Sequence, residues 1–172
     1  GSEGISDAMP SPDIAQRRRM IPMASVIVGQ SFGGSSFQSA FSDFTVQVKG
    51  SVLAVTSPRV FEIATGEIIS FEELGGVDVH AKLTGQIDLG VDSYEEAYAA
   101  VRRWLSYLPS NAWSQAPRGE PMTTERWKPD QALTDFIPES RRRGYDMRKF
   151  CRLLLDTDSF FELQPKFARN LV

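Results

Sequence analysis

Three features of the sequence predict an α/β fold. A short β-branched run, Val26-Ile27-Val28, ends at Gly29, and a Gly33-Gly34 pair then opens a helix of small residues. Two further β-rich runs follow, Phe44-Thr45-Val46-Gln47-Val48 and Val52-Leu53-Ala54-Val55. An amphipathic helix then starts near Tyr94, its apolar positions recurring at three- and four-residue steps. Coiled β-β-α units fit that order of elements, and so do other α/β arrangements.

Taken in order, residues 1–16 are rich in Gly, Ser, Pro and Asp and read as a loop. The first strand lies within residues 20–28. Lys49-Gly50-Ser51 separates the next two, which form either a hairpin or successive strands of one spiral sheet. Pro58 suits a first helical turn and opens a short helix to about Ala64. Ser70 and Glu73 make a capping box, with Gly75-Gly76 as its stop, so residues 71–74 form a brief helical turn. Ser93-Tyr94-Glu95-Glu96 is a second box and opens the clearest helix. Its stripe is Tyr94, Ala97, Tyr98, Val101, Trp104, Leu105 and Leu108, before Pro109, and Tyr98, Trp104 and Leu108 are assigned to the core. Residues 110–144 lose all periodicity, and Pro117, Pro121, Pro129 and Pro138 mark a linker or extended arm. A last helix follows Asp146, with Met147, Phe150, Leu153 and Leu154 on one face. Phe160-Phe161 comes next, buried or at a subunit contact.

Composition excludes several classes. The chain has 172 residues, 41% hydrophobic and 24% charged, in the range of ordinary globular domains. A net charge of −3 argues against non-specific nucleic-acid binding. The arginine runs 17–19 and 141–143 are local exceptions, read as solvated or interface-facing. No apolar run nears the ~20 residues of a membrane span, and none reads as a signal peptide. One cysteine, Cys151, rules out an intrachain disulfide and points to a reducing compartment: the cytoplasm, or the mitochondrial matrix or plastid of a eukaryote. Cys151 lies in an apolar helical pattern and is read as packing. One histidine and one cysteine make no zinc constellation, so no metal is expected. The Gly-Ser start and the stop at Asn170-Leu171-Val172 read as the ends of a piece of a longer protein.

The glycine pair is the candidate site. Glycines at a strand-to-helix turn let a ligand approach the backbone, and the first N–H groups of a helix lack intrahelical partners. Aimed at a developing negative charge, such groups form an oxyanion hole that needs no side-chain nucleophile.

Several blocks together resemble one family, the carboxyltransferase (β) subunits of biotin-dependent acyl-CoA carboxylases of the propionyl-CoA and acetyl-CoA type. They are Phe32-Gly33-Gly34-Ser35 with Ser42-Asp43-Phe44; Val48-Lys49-Gly50; Ala64-Thr65-Gly66-Glu67; Glu73-Leu74-Gly75-Gly76 with Val79-His80 and Thr84-Gly85; and Leu105-Ser106-Tyr107-Leu108-Pro109-Ser110-Asn111. Tyr145-Asp146-Met147-Arg148 and the run from Phe160 to Asn170 complete the series, over roughly residues 20–172. The resemblance implies a crotonase-like fold, a β-β-α superhelix, in a two-domain subunit. Residues 1–116 would be the later part of the first domain, 117–144 a linker and 145–172 the start of the second. It also implies an acyl-CoA substrate, biotin carried as carboxybiotin by a biotin carboxylase/carboxyl carrier partner, and a homo-oligomer, a hexamer in the family. Gly33 and Gly34 would hold the thioester oxygen of an enolate that takes up the carboxyl group, while Phe32, Ser35 and Ser36 would border the acyl group. Such a piece alone would be inactive, lacking early CoA-binding strands and the second domain's biotin-binding glycine turn.

Three departures from the family pattern bear on acyl preference: Ser35-Ser36 adds hydroxyls, Phe32 is bulkier than usual, and Gln86-Ile87-Asp88 replaces a common Val-Ala-His. The alternatives are a crotonase-fold hydratase or decarboxylase, a Ser36–His80–Asp88 triad of the Clp-peptidase kind, and a non-catalytic assembly module. Against them, His80 reads as a satisfied structural histidine and Asp43 as a cap between helix and strand. Glu67 reads as structural, and Glu73 already has a capping role.

Overall fold

The computed structural model describes residues 20–119, 131–140, 142–156 and 158–170. The loop at 1–16, Arg17 to Arg19, Pro121, Pro129, Arg141, Leu171 and Val172 lie outside the described residues.

The elements are β1 (Ala24–Ile27), β2 (Gln30–Phe32), α1 (Gly34–Ala40), β3 (Phe44–Val48), β4 (Val52–Ala54), α2 (Pro58–Thr65), α3 (Phe71–Gly75), a π-helix (Val79–Thr84), β5 (Leu89–Val91), α4 (Tyr94–Leu105), α5 (Gln131–Phe136) and α6 (Met147–Leu154). Among the described residues every strand pair is parallel. One sheet has the order β1-β3-β5 and the other pairs β2 with β4. The hairpin reading of residues 44–55 is therefore corrected. β3 and β4 belong to different sheets, and the turn between them, with Gly50 at φ +83°, carries the chain from one sheet to the other. Each sheet advances in step with the other, which is the spiral arrangement.

Two small cores follow. Phe44, Val46, Val48 and Ala97 are buried between the first sheet and α4, with Trp104 and Phe161 packed against them. The Phe44 and Trp104 rings stack at 5.3 Å, and Phe161 closes on Phe44 at 5.9 Å. Ile27, Leu53, Val77, Ala81 and Ile87 form the second cluster, between β4 and the π-helix. Tyr98, expected in the core, is half exposed, and the Ala97–Val101–Trp104 side of the stripe faces the sheet.

The local signals resolve in detail. The Ser70–Glu73 box is reciprocal: Glu73 N–H donates to Ser70 Oγ at 3.2 Å and Ser70 N–H to Glu73 Oε2 at 3.1 Å. At α4 only half the box forms, because Ser93 accepts from Glu96 N–H while the Glu96 carboxylate takes the Asp92 N–H. Asp146 caps α6 by accepting from Arg148 N–H at 3.0 Å. The span 117–144 contains a helix, α5, whose Phe136 meets Tyr145 edge-on at 5.8 Å and lies 5.9 Å from Phe150 of α6. Beyond α6, the chain returns to the first sheet's layer. Arg103 donates to Asp158 O and Phe160 O, Tyr107 to Ser159 O, and Gln164 to Gly85 O. The Arg148–Glu162 pair, with both Glu162 oxygens 2.7 Å from Arg148 Nε, ties α6 to that returning segment.

Candidate active site

The glycine pair sits at the junction of β2 and α1. Gly33 is the N-cap of α1 with φ +61° and ψ −121°, a conformation costly for any residue with a Cβ. Its carbonyl accepts the first helical bond, from Phe37 N–H at 3.1 Å. Its amide, however, donates to Val55 O at 3.1 Å, just past the end of β4. Of the two amides expected to face outward, one is therefore committed to the backbone. The Gly34 N–H, first in α1, has no acceptor among the described residues.

Serines dominate the surroundings. Ser31 Oγ donates to Ser35 Oγ at 2.9 Å, and Ser35 Oγ to Phe32 O at 3.1 Å. A groove of about 370 Å³ runs along β1 to this turn, lined by residues of 25–31 and by Ser35, Gln38 and Ser39. Gly33 and Gly34 adjoin its end without forming its wall. None of the lining residues is ionisable. The Phe32 ring turns to Phe71 of α3, 6.2 Å away, and is not part of that lining.

The Ser36–His80–Asp88 triad does not assemble. Ser36 is buried and donates its hydroxyl to Gly33 O at 2.7 Å. His80 places Nε2 2.6 Å from Leu53 O and Nδ1 3.0 Å from Thr84 Oγ1. Asp88 accepts from Thr45 N–H at 2.8 Å, and burial raises its pKa against the opposing effect of that hydrogen bond. Asp43 joins the entrances of β1 and β3, accepting from Met23 N–H at 3.0 Å. Glu67 is exposed, and Glu73, held below the usual carboxylate range by the Ser70 hydroxyl, is confined to its cap. Cys151 is half-buried and free.

Residues 8–172 match the carboxyl transferase domain family. The chain belongs to that family. This carboxyl transferase chain is 36% identical over 154 residues to the propionyl-CoA carboxylase carboxyltransferase subunit of Haloferax mediterranei, covering 89% of this chain and 30% of that one. It is 32% identical to the methylmalonyl-CoA decarboxylase subunit alpha of Veillonella parvula, again over 89% of this chain and 30% of the relative. Among solved structures, the transcarboxylase 12S hexamer with hydrolysed methylmalonyl-CoA bound superposes with a TM-score of 0.80 at 28% identity, covering 88% of this chain and 30% of that one. The chain thus spans about 30% of the length of these relatives. Its fold is crotonase-like, as the resemblance implied. No helix among the described residues is long and apolar enough to cross a membrane.

What sequence reasoning missed is the acceptor for Gly33. Val55 is remote in sequence and offers only a main-chain carbonyl, so no residue type announces it.

Proposed function

We propose that these residues are the acyl-CoA half-site of a biotin-dependent carboxyltransferase, which moves the carboxyl group of carboxybiotin onto the α-carbon of an acyl-CoA thioester. The observation that carries this reading is the Gly34 amide, open at the start of a helix whose preceding glycine is locked by Val55. Gly34 N–H is the donor to the thioester oxygen, where negative charge accumulates as the α-proton leaves. Gly33 sets the direction of that amide rather than donating itself, so a second donor must come from outside the pair. Ser35, which lines the groove, borders the acyl group through its hydroxyl, whereas the buried Ser36 and the Phe32–Phe71 pair brace the turn from outside the groove.

Carboxybiotin, carried by a partner subunit, would supply both the carboxyl group and the base. In this reading residues 1–116 belong to the first domain, 117–144 connect, and 145–172 open the second. The working assembly is a homo-oligomer, a hexamer like the transcarboxylase core that this chain resembles.

The similarity to a methylmalonyl-CoA decarboxylase subunit keeps the reverse direction as a second reading, because decarboxylation passes through the same thioester enolate. The full-length subunit, combined with its biotin-bearing partner, should carboxylate one or more of acetyl-, propionyl- and longer acyl-CoAs. Turnover only of a carboxylated acyl-CoA, with loss of CO2, would select the decarboxylase. No turnover in either direction would leave the assembly module.

A further inference from the structure

We infer that His80 is a positioning residue for the Gly34 amide, acting through β4; the inference rests on the half-site reading above. Among the described residues the second sheet has two strands, with β2 as the strand neighbour of β4. On the β2 side, Val52 N–H donates to Gly29 O at 3.0 Å, and Val55 O, beyond the strand end, receives the Gly33 amide. Whatever moves β4 therefore moves the carbonyl that holds Gly33.

His80 holds β4 by a carbonyl in the middle of the strand. Its Nε2 lies 2.6 Å from Leu53 O, and its Nδ1 is 3.0 Å from Thr84 Oγ1, four residues further along the same π-helix. With Nε2 donating to Leu53 O, Nδ1 is left to accept the Thr84 hydroxyl proton, so one tautomer satisfies both contacts. The start of the π-helix is tied to the turn that ends α3, since His80 N–H donates to Gly76 O at 3.3 Å.

A second clamp acts at the other end of β4. Gln47, fully buried, donates through Nε2 to Ser51 O at 3.0 Å and to Gly75 O at 2.9 Å. Ser51 Oγ in turn lies 3.1 Å from Ile27 O, at the end of β1. β4 is thus fixed before its first residue by Gln47 and at its centre by His80. His80 reaches it from an element that contributes nothing to the groove. A misplacement of about 1 Å at a reacting geometry can cost on the order of 100-fold in rate, so a clamp of this kind acts on kcat.

The test uses the full-length subunit assembled with its biotin-bearing partner. His80→Phe removes the donor, whereas His80→Gln can return an N–H to nearly the same place. Hydrogen exchange of peptides spanning residues 29–37 is followed by mass spectrometry, with residues 44–48 as an internal reference for global opening. His80→Phe should exchange at 29–37 at least about 10-fold faster than the parent, with 44–48 unchanged, and His80→Gln should restore most of the protection. Carboxyl transfer should fall by about 10- to 100-fold in kcat with KM within about twofold, again recovered by glutamine. Unchanged exchange at 29–37 in His80→Phe overturns the inference, whether or not the parent turns over acyl-CoA. Equal acceleration at 44–48 overturns it as well, since His80 would then be a general stabiliser. An inactive parent with the expected exchange pattern removes the half-site reading and leaves the clamp standing.

Discussion

The Gly33 amide is 3.1 Å from the Val55 carbonyl, a bond that closes β2 against the end of β4 and leaves Gly34 as the open donor of the pair. Gly33 reaches that bond at φ +61° and ψ −121°, where a Cβ would find nothing within 4 Å. The cost of Gly33→Ala is therefore conformational, not steric, and should be about 1–3 kcal/mol of stability. Urea unfolding of the full chain checks this. A loss well below 1 kcal/mol, on the same scale, would mean that the turn relaxes and the Val55 bond does not hold it.

Gly75 presents the opposite case. Its φ is not left-handed, yet a Cβ there would overlap the Leu53 carbonyl oxygen, because the end of α3 lies directly on the β4 backbone. Neither backbone can yield without moving β4. Gly75→Ala should therefore cost about 3 kcal/mol or more, beyond the usual range for overpacking. Gly50→Ala, at φ +83° with open space around it, should cost only about 1–2 kcal/mol. If the two variants unfold at the same denaturant concentration, the close approach of α3 to β4 is not rigid.

These contrasts also show where the sequence was legible. Ser70 with Glu73, and Asp146 before Met147, are signals contained within one helical turn, and both formed. Gln30-Ser31-Phe32 has no β-rich character and becomes a strand only because β4 lies alongside it. Leu89-Gly90-Val91 hides its strand behind a glycine that is needed because a Cβ there would strike Val77. The π-helix at Val79–Thr84 follows neither the period of a strand nor that of an α-helix. Tyr98 is half exposed because the stripe on α4 is wider than the surface that the first sheet offers it. At the site, the glycines and serines were visible in the sequence. Which amide remains open was not, because that depends on a carbonyl brought in by the second sheet.

Asp88 gives a pH dependence of definite sign. Burial raises its pKa above the ordinary 3.8, with the Thr45 N–H opposing the shift. The folded chain therefore holds a proton on Asp88 more tightly than the unfolded chain, and stability falls as pH rises from the ordinary aspartate value through the raised one. Glu73 and Asp78 are shifted downward, through the Ser70 hydroxyl and Lys82, and they lose stability in the opposite direction, as pH falls. Asp88→Asn keeps an oxygen to accept the Thr45 N–H and removes the titration. It should be at least as stable as the parent near neutrality, with an advantage that shrinks as pH is lowered toward about 4. A parent-minus-variant difference that is flat across that range would show that Asp88 titrates at its ordinary value.

Gly34→Pro separates the donor from the helix that carries it. Position 34 is the first residue of α1, where proline's fixed φ is well suited and the N–H it removes has no intrahelical partner. Stability should therefore change by less than about 1 kcal/mol, unlike the Gly33→Ala case. The chemistry should change much more. Removal of one preorganised oxyanion donor lowers kcat by about 10²- to 10³-fold, and the loss should fall on kcat more than on KM because the charge it stabilises arises only as the α-proton leaves. Carboxyl transfer by the assembled enzyme, measured at saturating and limiting acyl-CoA, distinguishes these cases. A KM-only effect would make Gly34 a ground-state contact. A fully active Gly34→Pro enzyme would show that the thioester oxygen is held elsewhere and would move the search to the serine-lined groove beside it.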